Sequence, residues 1–390
     1  MDSLFLEVDF VQSIKHGEAI CGDSFFVQRI PEENRVIGVL SDGLGSGVKA
    51  NILSSMTASM AMKFATSNMD FLRAAEVMMD ALPICQVRKI SYATFTVVDS
   101  VLHKWTRIIQ MDNPGYFLLR DGDILEIPQR EVSSPRWNER KIYFSEILNR
   151  PEDRLLLFSD GITQAGMGSR AFPLGWRRED CASFVRSKVQ RNPQIAAGEL
   201  AGIMLREALL KEPRQRAGDD MTCGVLYFRK PRRLILLTGP PFRQERDKEY
   251  AALLDSFPGK KVICGGTTSD IIARELDREI TTNLDTCRYG LPPISHMEGV
   301  DLITEGILTL TAVRKILESR ENISPLSPGA RLANLLLESD LIDFVVGTRI
   351  NEAHQDPSLP MDIEIRRTIV RGLAAILEEK YLKQTRIRFI

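Results

Sequence analysis

The sequence predicts an α+β chain with two domains, an antiparallel domain over residues 1–230 and an α/β open-sheet domain over residues 231–390. Short strands over residues 92–127, separated by the turn signal Asp121-Gly122-Asp123, are typical of antiparallel pairing. After the basic, proline-broken segment 228–233 the pattern changes to strand, glycine-containing loop and helix, repeated several times. This repetition favours an open α/β sheet. A chain of 390 residues is long enough for two separate cores.

Composition excludes several classes of function. The chain has 51 basic and 52 acidic residues, so nucleic-acid binding is not expected to be its main activity. Its 6 cysteines form no C-x-x-C pair, which is typical of reduced, cytoplasmic proteins. The N-terminus has no basic segment followed by an apolar core, so no secretory signal is expected. Because no apolar run approaches about 18 residues, we expect no membrane span and a cytoplasmic location.

The central motif is a predicted strand over residues 35–41 that ends at Asp42 and is followed by Gly43, Gly45 and Gly47. A helix is predicted from about residue 48 to residue 66. This arrangement is close to the dinucleotide-binding fingerprint, but its spacing is G-x-G-x-G rather than G-x-G-x-x-G. Asp42 would also repel a pyrophosphate. We therefore predict that Asp42 binds a cation and that the glycines make room for it.

The predicted helix carries an apolar stripe at helical spacing. Its members are Ile52, Leu53, Met56, Met60 and Phe64. Residues at this spacing lie on one side of a helix, and such a side normally packs into the core. The stripe is therefore predicted to be buried.

Three further predicted strands have aspartates at their ends. Asp160 follows the strand 155–158, Asp23 precedes a strand, and the pair Asp219-Asp220 precedes the strand 221–228. In antiparallel neighbours the end of one strand lies beside the start of the next, so these aspartates are expected to meet at one edge. Crowded carboxylates repel each other unless cations neutralise them. Ligands that are all oxygen favour Mg²⁺ or Mn²⁺ over Zn²⁺.

Four ordered motifs within residues 5–230 resemble the metal-dependent (PPM, type 2C) protein phosphatases, and in particular their bacterial SpoIIE-type branch. The motifs are Cys21-Gly22-Asp23-Ser24, Ser41-Asp42-Gly43-Leu44-Gly45-Ser46-Gly47-Val48-Lys49-Ala50, Ser159-Asp160-Gly161-Ile162-Thr163-Gln164-Ala165 and Asp219-Asp220-Met221-Thr222. The resemblance implies a four-layer α/β/β/α sandwich. It also implies two Mn²⁺ or Mg²⁺ ions held by Asp23, Asp42, the Gly43 carbonyl, Asp160 and Asp219, of which Asp42 and Asp160 are the expected catalytic residues.

The resemblance further implies hydrolysis of phosphoserine or phosphothreonine on a protein by a metal-activated water. In this branch the expected substrate is a small phosphorylated regulator, similar to an anti-sigma-factor antagonist. Animal members of the family hold the phosphate with an N-terminal arginine that has no clear equivalent here. Arg170, Arg177, Arg178, Arg214 and Arg216 are candidates for guiding the substrate, or ordinary surface charges. The alternatives are a catalytically silent signalling module and an enzyme that hydrolyses a small phosphoester.

Residues 231–390 resemble no family with comparable motifs. We predict a small-ligand site at the carboxyl edge of their sheet, where ligands of open α/β sheets bind. The predicted lining residues are Gly265, Gly266, Thr267, Thr268 and Ser269. Gly239 and Gly306 are expected to supply the opposite wall, with Glu305 contacting a hydroxyl or a cation of the ligand. Free amides at the start of the following helix would favour an anion. The other interpretation is that this stretch is an ordinary strand-to-helix turn, since such turns have the same composition.

Overall fold

The structure is a computed structural model that describes residues 4–67, 70–81, 93–137, 140–283, 294–319, 327–349 and 359–390. The chain divides into two compact units, Met1–Lys230 and Pro231–Ile390. Within the described residues, no helix combines the length and the apolar composition that a membrane crossing requires.

The first unit contains two antiparallel sheets and two main pairs of helices. Its strands are β1 (Phe5–Ser13), β2 (Asp23–Ile30), β3 (Arg35–Gly43), β4 (Ala93–Val101), β5 (Trp105–Met111), β6 (Phe117–Arg120), β7 (Asp123–Leu125), β8 (Arg130–Ser133), β9 (Lys141–Leu148), β10 (Arg154–Phe158) and β11 (Met221–Arg229). Its helices are α1 (Gly47–Ala65), α2 (Phe71–Ala81), α3 (Asp160–Thr163), α4 (Arg178–Arg191) and α5 (Ala197–Lys211). One sheet has the order β1-β11-β10-β6-β7 and the other β2-β3-β4-β5-β9-β8.

Three hydrophobic cores show that this unit has four layers. The core between the sheets includes Leu40 of β3 and Leu155 of β10. A second core joins β10 and β11 to α4 and α5, and a third joins β3 and β4 to α1 and α2. Alternating side chains of a strand point to opposite faces, so both faces of these strands are buried. The continuous apolar run of β10 follows from this, and the predicted α/β/β/α sandwich is confirmed.

The buried side of α1 differs from the prediction. Small residues form that side, namely Gly47, Ala50, Ser54, Thr57, Ala58, Ala61 and Ala65. Ile52 and Met56 of the predicted core stripe are instead 52% and 66% exposed. The reason is the close approach of the helix to the sheet, since a Cβ on Gly43 would lie 2.1 Å from the Ala50 carbonyl oxygen. Large side chains do not fit into so narrow a gap, so Ile52 and Met56 lie on the outer side of the helix. Met60 and Phe64, farther along α1, are partly buried and pack against the core as predicted.

The second unit is an open, largely parallel sheet, as predicted. Its strands are β12 (Arg233–Thr238), β13 (Lys260–Cys264), β14 (Thr281–Asn283), β15 (Ile294–His296), β16 (Leu302–Thr304), β17 (Leu341–Val346) and β18 (Gln384–Phe389). Its helices are α6 (Asp247–Asp255), α7 (Gly266–Leu276), α8 (Ile307–Ser319), α9 (Pro328–Glu338) and α10 (Leu359–Tyr381). The strand order is β14-β15-β16-β13-β12-β17-β18. The five neighbouring strands β16, β13, β12, β17 and β18 run parallel to one another.

Helices cover both faces of this second sheet. One core joins the strands to α6 and α7, and another joins them to α8, α9 and α10. The chain moves from β12 to β13 and β16 on one side, and then returns to β17 and β18 on the other. The strand order therefore reverses between β12 and β17, which is the usual position of a ligand crevice in such sheets.

Candidate metal centre

The candidate site of the first unit lies where several of its strands end. Asp23 is the first residue of β2 and stands directly opposite Asp42 in the β2–β3 pairing. Residues that are directly opposite in an antiparallel pair have Cβ atoms about 4.5–5.5 Å apart and point to the same face. The β2–β3 register therefore places both carboxylates side by side.

The other sheet contributes Asp160, which follows β10 and begins α3. Ser159 holds this corner, because its amide donates to the Thr222 carbonyl at 3.1 Å and its hydroxyl accepts from the Thr222 amide at 2.8 Å. The Thr222 hydroxyl in turn donates to Asp23 Oδ2 at 2.6 Å. Thr222 thus connects the two sheets at the site. The role of Thr222 was not evident from the sequence, since only the fold shows that β11 faces β2 here.

The aspartates influence one another strongly. Burial, followed by the charges of Asp23, Asp160 and Asp219, raises the pKa of Asp42 to about 9. Burial also raises the pKa of Asp23 to about 7, and burial together with the Asp219 charge raises the pKa of Asp160. The carboxyl groups of Asp42 and Asp160 are in hydrogen-bonding contact. Carboxylates held this close repel each other unless a proton or a cation offsets their charge, so this edge holds more negative charge than the protein alone can neutralise.

The donor set suits a divalent cation with oxygen ligands. Asp23 Oδ1 is buried and has no hydrogen-bond partner among the described residues, so this oxygen is available to bind a cation. Across the described ranges, no three Asp, Glu, His or Cys side chains already stand in a metal-holding arrangement. Binding of a cation would therefore require Asp42 to lose the proton that its raised pKa favours. Oxygen-only coordination is what Mg²⁺ and Mn²⁺ prefer.

Asp219 and Asp220 act on different aspartates of the site. Asp219 is half-exposed, its charge raises the pKa of Asp42 and Asp160, and its Oδ1 forms an ion pair with Lys15 Nζ at 3.3 Å. Asp220 is buried, and its Oδ1 accepts a hydrogen bond from the Lys15 amide at 3.0 Å. The charge of Asp220 raises the pKa of Asp23. Asp219 is thus on the side of Asp42 and Asp160, whereas Asp220 is on the side of Asp23. These five aspartates are called the acidic cluster below.

The glycine loop of the central motif has a steric basis. Gly43 ends β3, and its contact with the backbone of α1 leaves no room for a side chain. Gly47 has a φ of +67°, and a Cβ there would lie 2.4 Å from Glu18 Oε2. Glu18 also accepts a hydrogen bond from the Ser46 hydroxyl at 2.8 Å. The loop is therefore fixed by Glu18, a residue that sequence patterns did not single out.

Two of the arginines considered as substrate guides, Arg178 and Arg216, have other contacts. Arg178 donates to the Gly115 carbonyl and, at 3.0 Å, to the Tyr116 carbonyl. Arg216 lies 3.1 Å from the His16 imidazole through its Nη1. Arg178 therefore stabilises the fold, whereas Arg216 stands beside the loop that precedes Asp219.

The predicted ligand residues of the second unit lie together at the carboxyl ends of β13 and β16. A Cβ on Gly306 would lie 3.3 Å from the Gly265 Cα, so the two loops touch. Gly265, with a φ of +140°, caps α7, whose first turn contains Gly266, Thr267, Thr268 and Ser269. The Ser269 hydroxyl donates to the Gly266 carbonyl at 2.7 Å, and Glu305 Oε2 accepts from the Leu308 amide at 3.1 Å at the start of α8. Both polar groups thus serve local helix ends.

Comparisons with known proteins concern the first unit. A protein-family model, Stage II sporulation protein E (SpoIIE), matches residues 32–229, which include Asp42, Asp160 and Asp219 but not Asp23. A search of curated proteins finds no match.

Among solved structures, the chain is similar to the phosphatase domain of SpoIIE from Bacillus subtilis, with 17% identity, a TM-score of 0.45, and coverage of 59% of this chain and 95% of that one. It is also similar to the RsbU and RsbW domains of Rv1364c from Mycobacterium tuberculosis, with 17% identity, a TM-score of 0.49, and coverage of 65% and 67%. A third similar structure is the catalytic domain of the phosphatase PstP with 2 manganese ions, with 16% identity, a TM-score of 0.40, and coverage of 58% and 100%. Because the family model matches more than half of its residues, the chain belongs to the SpoIIE family.

Proposed function

We propose that residues 1–230 form a metal-dependent phosphatase that hydrolyses phosphoserine or phosphothreonine on a protein. The observation that carries the proposal is the meeting of aspartates from separate segments, with raised pKa values and a close contact between the carboxyl groups of Asp42 and Asp160. An acidic edge of this kind is costly for a fold that has no use for it. A silent signalling module would not need to keep it.

The proposed ligands are Asp23, Asp42, Asp160, Asp219 and the Gly43 carbonyl. When bound, two Mn²⁺ or Mg²⁺ ions would supply an acidified water as nucleophile and screen the charge of the phosphoryl group. The protein's own part is to place the carboxylates and keep them ionised. Thr222 donates to Asp23, and Gln164 Nε2 donates to Asp160 Oδ2 at 3.1 Å. Both hydrogen bonds favour the charged form of the carboxylate they orient.

The proposed substrate is a phosphorylated regulatory protein similar to an anti-sigma-factor antagonist. The support is membership of the SpoIIE family together with the position of the acidic cluster, which stands at an edge where Asp219 is half-exposed. A phosphorylated side chain on another protein can reach such an edge. A small phosphoester remains the alternative substrate.

The full-length protein is expected to release phosphate from phosphoserine and phosphothreonine peptides when Mn²⁺ is present, and to lose this activity in excess EDTA. The reason is that the nucleophilic water depends on the metal ions. Phosphate release is measured for the peptides and for p-nitrophenyl phosphate, with Mn²⁺, Mg²⁺ or EDTA. Undiminished turnover in EDTA would contradict the metal-dependent mechanism. Hydrolysis of p-nitrophenyl phosphate without any peptide hydrolysis would favour the small-phosphoester alternative, and no hydrolysis at all would favour the silent module.

We also propose that residues 231–390 bind a small anionic ligand at the start of α7. Two observations support it. Thr268 is 1% exposed, and its hydroxyl has no hydrogen-bond partner among the described residues. Gly266 is exposed, and a Cβ there would meet no atom within 4 Å. Free helix amides, a spare hydroxyl and an open glycine suit a phosphate or carboxylate group. If this stretch is an ordinary strand-to-helix turn, such anions should not raise the melting temperature of the protein.

Gly266→Val is expected to abolish a ligand-dependent rise in melting temperature that Gly266→Ala retains. The methyl group of alanine occupies open space, whereas valine extends over the helix amides that would bind the anion. The measurement is a thermal-shift titration of the full chain with inorganic phosphate, ADP and citrate. If none of the probes raises the melting temperature, or if Gly266→Val responds as the parent does, the stretch is an ordinary strand-to-helix turn.

A further inference from the structure

The connection between β1 and β2 brings a cation to the acidic cluster. Lys15 Nζ lies 3.3 Å from Asp219 Oδ1, and the Lys15 amide donates to Asp220 Oδ1 at 3.0 Å. Within the described part of the chain, the ion pair with Asp219 is the contact that links a basic side chain to the acidic cluster. The family resemblance did not point to Lys15, which lies outside the motifs that carry it.

A second set of contacts fixes the backbone on which Lys15 stands. The His16 amide donates to the Ala217 carbonyl at 2.9 Å, and the His16 imidazole lies 3.1 Å from Arg216 Nη1. Together with the amide contact to Asp220, these bonds join the connection to the segment that precedes β11. The Cα of Lys15 is therefore held beside the site independently of its side chain.

The Lys15 side chain is free to change partners. Its exposed fraction is 34%, and that of Asp219 is 49%. An ion pair between groups as exposed as these contributes only about 0–1 kcal/mol. Lysine is a flexible point charge whose three donors can be reoriented. The ammonium group can therefore leave Asp219 for a stronger anion at small cost.

The charge of the site favours such an exchange. When ionised, the five carboxylates of the acidic cluster carry five negative charges, and two divalent cations would offset four of them. A phosphate monoester would add about two negative charges. A further positive charge would then be needed near the phosphoryl oxygens. Arg178, one of the other candidate cations, already donates to two backbone carbonyls.

We propose that Lys15 is the phosphate-binding residue of this site. Its ammonium group exchanges the Asp219 carboxylate for a phosphoryl oxygen of the substrate, while the Lys15 amide stays on Asp220. The assignment rests on the proposed phosphatase function for its role in turnover. Binding of phosphate itself can be measured without turnover.

The test compares Lys15→Met, Lys15→Arg and the control Lys49→Met in the full-length protein. Lys49 is an exposed residue in the first turn of α1. Calorimetry gives the affinity for Mn²⁺ and, in saturating Mn²⁺, for inorganic phosphate, and steady-state kinetics give kcat and KM for p-nitrophenyl phosphate. For Lys15→Met we expect phosphate affinity to fall and KM to rise by about tenfold, the usual effect of losing a charge-assisted hydrogen bond. Mn²⁺ affinity should stay equal or increase, because Asp219 loses a competing cation.

Lys15→Arg should keep most of the phosphate affinity, and Lys49→Met should behave as the parent protein. Unchanged phosphate affinity in Lys15→Met would overturn the proposal. A fall in Mn²⁺ affinity equal to the fall in phosphate affinity would also overturn it, since Lys15 would then only support the metal centre. If no variant has phosphatase activity but phosphate binding still depends on Lys15, the phosphatase function fails while the assignment of Lys15 stands.

Discussion

Asp42→Asn is expected to reduce Mn²⁺-dependent phosphatase activity by more than about 100-fold, the upper end of the loss caused by removing an outer-shell partner of a metal. The substitution removes a carboxylate that pairs across the sheet with Asp23 and contacts Asp160. The fold should survive, because an asparagine amide can donate to Asp160 as the protonated Asp42 does. Activity with p-nitrophenyl phosphate and Mn²⁺ is the measurement.

The same variant should change how the stability of the metal-free protein depends on pH. The pKa of Asp42 is raised from 3.8 to about 9, so between these values the folded protein holds a proton that the unfolded chain has lost. The contribution of Asp42 to the free energy of unfolding is therefore at its maximum below about pH 4. It falls as the pH rises, by up to about 1.4 kcal/mol per pH unit. Asparagine does not titrate. Thermal melts from pH 5 to 9 in EDTA should show a smaller decline for Asp42→Asn than for the parent.

Asp121→Asn is the matched control for both measurements. Asp121 lies in the β6–β7 turn with a φ of +53°, a conformation that asparagine adopts readily. It should leave activity and the pH profile unchanged. Near-parental activity of Asp42→Asn in Mn²⁺ would show that the metal centre is misplaced, whatever the melting data give.

Asp219→Asn is expected to weaken Mn²⁺ binding more than Asp220→Asn does. Asp219 lies on the side of Asp42 and Asp160, whose pKa values its charge raises, and we propose it as the ligand. Asp220 accepts a hydrogen bond from the Lys15 amide, a task that an asparagine oxygen also performs. We expect a loss of Mn²⁺ affinity of at least about tenfold for Asp219→Asn, and a smaller one for Asp220→Asn.

Parallel calorimetric titrations of the two variants with Mn²⁺ decide between the carboxylates. The reverse order of losses would give the ligand role to Asp220, whose Oδ2 is buried and has no hydrogen-bond partner among the described residues. Circular dichroism of both variants controls for unfolding, because Asp220 is buried and Asp219 is not.

Local sequence signals predicted much of the first unit. The turn Asp121-Gly122-Asp123 connects β6 to β7 in register, with Arg120 opposite Asp123 and positive φ at Asp121 and Gly122. Two consecutive positive φ values require this kind of composition.

Other features depend on contacts between distant segments and have no local signal. The strands β8 and β9 were not predicted. β8 is the edge strand of its sheet, which allows exposed polar residues such as Arg130, and β9, which lies between β5 and β8, begins with the exposed Lys141. The outward orientation of Met56 on α1 follows from the narrow gap at Gly43 rather than from its own hydrophobicity. Likewise, nothing near Lys15 in the sequence shows that it meets Asp219, because 204 positions separate them.

The pairing of β1 with β11 has a consequence for the synthesis of the protein. Phe5 is opposite Arg229, so the five-stranded sheet pairs β1 with a strand that is translated more than 220 positions later. At about 5–20 residues per second, the ribosome needs roughly 10–40 s to bridge that interval. During this time β1 has no partner in its own sheet within the described strands. The pair Asp219-Asp220 directly precedes β11, so the acidic cluster is completed only after that interval.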